Sequence, residues 1–294
     1  MLRRAVESAL AAGTDVEVIV VDDASTDDTA DVCKSISGIK YIRLDRNQGV
    51  AGARNVGLME STSDFIAFLD DDDLRLPGTL DHQLNLLERA PEAGFVAGGV
   101  VLADQNLVPT GEVAVPRGQS GDLFWQILEL KVHLIPGSVV VRKECFLEAG
   151  VFNRKLAGID DWDMWTRIAE QRSIIVDPEP VCIYRQSTPS SGQGSSAMAR
   201  HLYAATKHQS QLMTSLSRVR LASKERQRKL RKDTRRRIAD TLSWRAAEEL
   251  PRGSIRFAFS NFCTALKLSP FWAARPTHVG VLCRSTLSQL KART

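Results

Sequence analysis

Phe65-Ile66-Ala67-Phe68-Leu69-Asp70-Asp71-Asp72-Asp73 is the stretch on which the reading of the chain turns. A short apolar run bounded by polar residues predicts a buried strand. This one stops on four consecutive carboxylates. Like charges so close raise one another's pKa and cost free energy unless a cation sits among them. Carboxylate oxygens suit hard divalent ions such as Mg²⁺ or Mn²⁺. Standing alone, the run reads equally well as a solvated acidic loop.

It does not stand alone. Upstream, Val16-Glu17-Val18-Ile19-Val20-Val21 is β-branched and nearly all apolar, as a strand buried on both faces of a parallel sheet is. It too ends on carboxylates, Asp22-Asp23, and Ala24-Ser25-Thr26-Asp27-Asp28-Thr29 supplies capping residues that start a helix near Asp27. Residues 2–12 read as a helix, 41–44 as a short strand, and 47–55 as a glycine-containing loop running into a helix. Downstream of Pro77 the pattern predicts a helix over 79–90, a strand over 94–102, a polar loop over 104–121, a short helix over 122–131 and a strand over 137–142. A helix opens at Asp160 with acids in its first turn, where the helix dipole favours them. Two short strands, 174–176 and 181–184, complete this part. The alternation predicts an α/β fold with an open, mostly parallel sheet flanked by helices. Ligands bind beyond the carboxyl ends of such strands, so one crevice can hold both acidic clusters.

At 294 residues, 43% hydrophobic and 25% charged, the chain has the composition of a soluble globular protein with one large domain or two smaller ones. The net charge of +4 hides an asymmetry: from Ser190 onward there are 21 Lys and Arg against 5 Asp and Glu, and before it 18 against 30. The expected division is therefore 1–189 and 190–294, the second part basic and mainly helical, with 187–196 a Ser, Gly and Pro-rich linker. Cys33, Cys145, Cys182, Cys263 and Cys283 are scattered without metal-type spacing, which fits a reducing cytosol. No apolar stretch approaches the ~20 residues of a membrane span. The expected location is the cytoplasm, in solution or peripheral on the inner face of a membrane.

Four motifs in order resemble the family 2 glycosyltransferases of the GT-A fold: Val20-Val21-Asp22-Asp23-Ala24-Ser25-Thr26-Asp27-Asp28-Thr29; Asn47-Gln48-Gly49 through Ala53-Arg54-Asn55; Leu69-Asp70-Asp71-Asp72-Asp73 with Pro77; and Asp160-Asp161-Trp162-Asp163-Met164-Trp165-Thr166-Arg167. A Tyr184-Arg185 pair follows the last strand, as it does in that family. The resemblance spans residues 2–190 and implies inverting sugar transfer from a nucleotide-diphosphate sugar, most often a UDP-sugar, in cell-surface polysaccharide or glycolipid synthesis. It implies Mn²⁺ or Mg²⁺ held by Asp70, Asp72 and Asp73. Donor nucleotide contacts fall to Asp22, Asp23, Ser25, Arg54, Asp70 and Asp71, with Asp23 accepting from the base. Arg54 reads equally as a phosphate ligand or as a salt bridge among the acids. Asp161 is the implied base that takes the acceptor proton, with Asp160 in place of the family's glutamate beside it. Trp162, Tyr184 and Arg185 are candidates for the acceptor side. Asp163 reads as an acid supporting its helix, and Trp165 as core.

One departure stands out. The family begins with a strand before its first helix, and here Met1 falls within that helix. The expectation is an upstream start or a shortened protein; in the second case the alternative function is an inactive, transferase-like binding or scaffold protein at a membrane. A phosphatase-like or receiver-type metal site also places acids at strand ends and needs a separate phospho-accepting Asp and a strand-end Lys, but the aspartates here fall instead in the transferase pattern. For the basic segment, packing on the acidic part and attachment to an anionic membrane surface both stay open. Nucleic-acid binding is disfavoured because no groove-reading motif accompanies the charge. A saccharide or lipid-linked acceptor is the expected second substrate.

Overall fold

The computed structural model describes residues 1–186, 195–250 and 254–273. The chain divides into two compact units, Met1–Gln186 and Ser187–Thr294. The expected linker over 187–196 lies almost wholly outside the described residues, as does Cys283.

In the first unit the elements run α1 (Leu2–Leu10), β1 (Val18–Asp22), α2 (Thr29–Lys34), β2 (Ile39–Arg43), α3 (Val50–Glu60), β3 (Phe65–Ala67), β4 (Leu74–Arg75), α4 (Thr79–Glu88), β5 (Ala93–Ala103), β6 (Pro109–Ala114), α5 (Phe124–Leu128), β7 (Val139–Arg142), α6 (Glu144–Ala149), α7 (Asp160–Ala169) and β8 (Ser173–Arg185). The α/β class is as expected. The sheet is mixed rather than mostly parallel. β1 and β2 form their own parallel pair, and six strands form a second sheet in the order β3-β7-β5-β8-β4, with β6 also on β5. Only β5–β8 is parallel there; β3–β7, β5–β7, β4–β8 and β5–β6 are antiparallel. The reason is local. β7 pairs with residues 95–97 and β6 with residues 100–103, so two antiparallel strands share one edge of the eleven-residue β5.

β5 is the buried centre of the sheet, and its side chains alternate between faces. On one face Val96 joins Leu87 of α4, Ala93 and Val140 of β7 in an apolar cluster. On the other, the Phe95 ring lies 5.3 Å from the Trp165 ring of α7, which meets Phe152 edge-on at 6.2 Å. Phe68 stacks edge-on against Phe152 at 5.1 Å. That aromatic contact fixes the segment just after β3 against the loop before α7, and both carry the acids of interest. β3 itself is an edge strand with Ala67 exposed, not a fully buried one.

The two strands expected at 174–176 and 181–184 are one strand, β8. It carries Pro178 and Pro180 across from Gly98 and Gly99, where the pairing with β5 shifts register. A Cβ on Gly98 would stand 2.6 Å from the Val181 side chain, and one on Gly99 3.0 Å from the Pro178 carbonyl oxygen. The missing side chains let the bulged strand stay in contact.

The second unit is helical: α8 (Ser195–Ser215), α9 (Ser217–Arg220), α10 (Lys224–Glu249), α11 (Ile255–Leu268) and α12 (Pro270–Ala273). Leu212, Met213, Leu230, Ile238, Ala239 and Leu242 are buried within it, and Gln209 donates 2.8 Å to Thr234. Ser223 caps α10 by accepting from the Arg226 N–H at 3.1 Å. Lys224, Arg228, Lys229, Arg231, Lys232 and Arg235 are exposed along α10, and Ile255, Phe259 and Phe271 along α11 and α12. No helix among the described residues is long and apolar enough to cross a membrane.

Candidate functional site

The early acidic pair is a scaffold for the turn that follows it. Asp22, buried at the end of β1, accepts from Tyr41 Oη at 2.6 Å, Arg43 at 2.6 Å and the Ser25 N–H at 2.7 Å. Burial works to raise its pKa, but these hydrogen bonds and the Arg43 charge hold it below the usual carboxylate range. Ala24 takes a left-handed φ of 63° to close the turn, a cost for any side chain with a Cβ. Asp23 faces the other way. Its two oxygens accept from the backbone N–H groups of Gln48, at 2.6 Å, and Gly49, at 2.8 Å. Gly49 adopts φ 77° and caps α3, so Asp23 sets the entry of that helix. Arg43, Leu44, Asp45, Arg46 and Gln48 line a surface depression beside it.

One turn into α3, Arg54 is the hinge of the site. Its guanidinium holds Asp70 at 2.9 Å and Asp160 at 3.1 Å, and it lies about 6 Å from the centres of the Phe68 and Phe152 rings. The side chain is only 11% exposed. Burial opposes its charge, but Asp70, Asp160 and Asp161 outweigh that and raise its pKa. Of the two readings of Arg54, the salt bridge is the one observed. Its neighbour Asn55 had no assigned role in the sequence. Its amide clasps the Phe152 backbone at both N–H and carbonyl, each at 2.9 Å, and so ties α3 to the loop before α7. The signal was its place in the Ala53-Arg54-Asn55 motif.

Residues 70–73 form a tight turn closed by an Asp73 N–H to Asp70 carbonyl bond of 3.1 Å. Asp71 sits exposed at its tip. Asp72 is paired by Arg185 through Nε at 3.2 Å and through a second guanidinium nitrogen. Asp73 is buried, accepts from the Arg185 N–H at 2.8 Å, and has its pKa pushed up by burial to about 7. At the start of α7, burial raises Asp160 while Arg54 opposes it. Asp161 is half-buried and accepts from the Trp162 N–H at 2.7 Å. Burial, then the charge of Asp160, push it up to about 6. The Tyr184 hydroxyl is pushed up to about 12, by burial first and then by Asp73, Asp70, Asp72 and Asp161.

The structure thus brings Asp70, Asp72, Asp73, Asp160, Asp161, Tyr184 and Arg185 into one electrostatic network. Asp22, Asp23 and Ser25 connect to it through the turn at 47–49 and α3, not by a direct bond. Trp162 is 7% exposed and its indole donates 2.8 Å to the Ile127 carbonyl, so it pins α5 and leaves little surface for an acceptor. Trp165 is core, and Asp163 holds Arg167 at 2.8 Å within α7.

Among the described residues no three carboxylate, imidazole or thiolate groups stand together as a ready metal cage. Arg54 and Arg185 each draw one carboxylate of the turn aside. The donor set still fits a hard divalent ion. Asp70 and Asp72 are about a third exposed, and each arginine engages only one oxygen of its partner. Mg²⁺ sites of this kind use one or two carboxylates plus substrate phosphates rather than an all-protein shell.

Residues 1–131 match the model of glycosyl transferase family 2. An uncharacterized glycosyltransferase of Rickettsia felis is 29% identical over 212 residues, 68% of this chain and 34% of that protein. The succinoglycan biosynthesis protein ExoO of Rhizobium meliloti is 46% identical over 94 residues, 31% of this chain and 26% of that protein. The chain therefore spans about a third or less of the length of these curated relatives. The crystal structure of S. aureus TarS 1-349 in complex with UDP-GlcNAc superposes with a TM-score of 0.52 at 16% identity, covering 89% of this chain and 86% of that one. That likeness establishes the GT-A type of fold. With the sheet and the acid-ended strand in agreement, residues 1–131 of this chain are the part that matches glycosyl transferase family 2.

Proposed function

We propose that the protein transfers a sugar from a UDP-sugar to an acceptor hydroxyl, with inversion, in cell-surface polysaccharide or glycolipid synthesis. The observation that carries this reading is the Arg54 bridge. It ties the acids after β3 to the acids at the start of α7, which supports assigning the donor phosphates and the acceptor proton to neighbouring carboxylates. The relatives add to it: TarS is described in complex with UDP-GlcNAc, and ExoO is a succinoglycan biosynthesis protein.

In this reading Asp23, with the depression along 43–48, receives the base; its carboxylate retains lone pairs beyond the two bonds it accepts. Asp70 and Asp72 would hold a divalent ion, with Asp73 supporting the turn, and Mn²⁺ or Mg²⁺ bound there would supply neutralisation of the charge on the leaving diphosphate. Asp161 takes the proton from the acceptor hydroxyl. A carboxylate raised to about 6 is ionised at neutral pH yet more basic than an ordinary aspartate. Asp160, locked by Arg54, supports Asp161 by its charge, and Tyr184 lies on the acceptor side. For the second unit we propose peripheral attachment to an anionic membrane on the cytoplasmic side, through the exposed basic residues of α10 and the exposed Ile255, Phe259 and Phe271. A non-catalytic binding protein is the second reading, favoured by the separation of β1–β2 from the larger sheet.

The experiment is a panel of nucleotide sugars incubated with the full chain and Mn²⁺, with released nucleotide diphosphate measured by chromatography. Release from one donor that disappears in Asp161→Asn supports the transferase. No release from any donor, with UDP still bound, supports the binding protein.

A further inference from the structure

We propose that Arg185 is the exchange residue of the site: it neutralises Asp72 on its own and moves to the donor diphosphate when the nucleotide enters, freeing Asp72 for the divalent ion. This rests on the transferase reading above and gives Arg185 a role on the donor side instead of the acceptor side.

The two arginines of the cluster differ in what holds them. Arg54 is 11% exposed, lies near two aromatic rings and serves two carboxylates, one of which, Asp160, is 5% exposed. Its departure would leave a buried charge unpaired. Arg185 is 23% exposed and serves a carboxylate that is itself 34% exposed, so water can replace it at Asp72 at small cost. Its backbone is anchored separately, by the N–H bond to Asp73 and by register with Ala103 at the end of β5. The side chain can therefore swing without disturbing the turn. It also projects from the last residue of β8, at the carboxyl end of the strand parallel to β5, where ligands of α/β sheets bind. A guanidinium fork matches two phosphate oxygens as well as it matches a carboxylate.

Competition for Asp72 has a thermodynamic consequence. A divalent ion arriving alone must displace Arg185 into water. Arriving with a nucleotide, it finds Arg185 already drawn to phosphate. Ion and nucleotide then assist each other's binding, and the coupling is carried by this one side chain.

The test is isothermal titration of Mn²⁺ alone, and of UDP with and without Mn²⁺, on the full chain and on Arg185→Ala and Arg185→Lys. The expected result for Arg185→Ala is Mn²⁺ binding alone tightened about threefold or more, UDP binding weakened about tenfold, and the help each gives the other reduced. Arg185→Lys keeps the charge at Asp72 but loses the fork, so Mn²⁺ affinity stays near wild type while UDP affinity falls. Unchanged or weaker Mn²⁺ binding in Arg185→Ala overturns the proposal, as does unchanged UDP affinity. Wild-type protein that binds neither Mn²⁺ nor UDP overturns the transferase reading itself and this assignment with it. Matching circular dichroism and melting curves separate these outcomes from misfolding.

Discussion

Arg54 and Asp160 stand 106 residues apart in sequence and form an ion pair of 3.1 Å, while the same guanidinium holds Asp70 at 2.9 Å. Removing it strands two carboxylates, one of them deeply buried. Arg54→Met is expected to destabilise the protein by about 3–5 kcal/mol, read as a shift in urea midpoint. Arg54→Lys should recover only part of this, because one ammonium cannot span both carboxylates as a planar fork does.

Asp161 lies next to that bridge without being held by it. Asp161→Asn is expected to lower turnover by about 10²–10⁴-fold while UDP affinity stays within about twofold, measured by product release and by calorimetry. Normal turnover in this variant would remove Asp161 as the base.

The raised pKa of Asp161 sets two pH effects of opposite benefit. Activity needs the ionised form, so kcat/KM should climb through about pH 6 to a plateau. Stability runs the other way. A folded-state pKa raised from 3.8 to about 6 means that ionisation costs the folded state more than the unfolded one. That cost is fully present above about pH 6 and is gone below the unfolded value near 3.8. Asp161→Asn should therefore raise Tm at pH 8, by roughly 2–4 °C for each kcal/mol relieved, and the gain should shrink as pH falls toward 4. Thermal melts at several pH values read this out.

Asp72→Asn is expected to abolish the part of UDP binding that depends on Mn²⁺ and to leave the EDTA-resistant part intact. Calorimetry with and without EDTA measures both.

For the second unit, replacing Arg228, Lys229, Arg231 and Lys232 by Gln should reduce co-sedimentation with anionic vesicles at low salt. Each exposed charge is worth on the order of 1 kcal/mol near such a surface. Equal partitioning of variant and wild type would end the membrane proposal.

What could be read from the sequence was what repeats locally. The apolar runs at 94–102 and 137–142 gave β5 and β7 because a central strand leaves an unbroken hydrophobic record. β6 lies within the polar stretch whose Pro109, Gly111, Pro116 and Gly118 predict a loop, and all six of its residues are exposed, so burial imposes no alternation that would mark a strand. β8 was split in two by its prolines, since nothing in 173–185 announces that Gly98 and Gly99, some eighty residues earlier, make room for a bulge. The site followed the same rule. The acids were visible as motifs, yet the arginines that divide them, Arg54 between Asp70 and Asp160 and Arg185 on Asp72, are pairings across distance that spacing does not encode. Trp162 looked available and is spent on Ile127 for the same reason.

The separation of β1–β2 from the larger sheet makes those two strands a candidate for independent opening. Their five-residue ladder has one partner on one side and, Asp22 apart, no fully buried side chain, whereas β5 is flanked on both edges. Amides of residues 18–22 should exchange with heavy water well before those of 95–100. Because Asp23 fastens the Gln48-Gly49 turn to this ladder, a nucleotide clasped there would slow that exchange, and its footprint could be followed amide by amide.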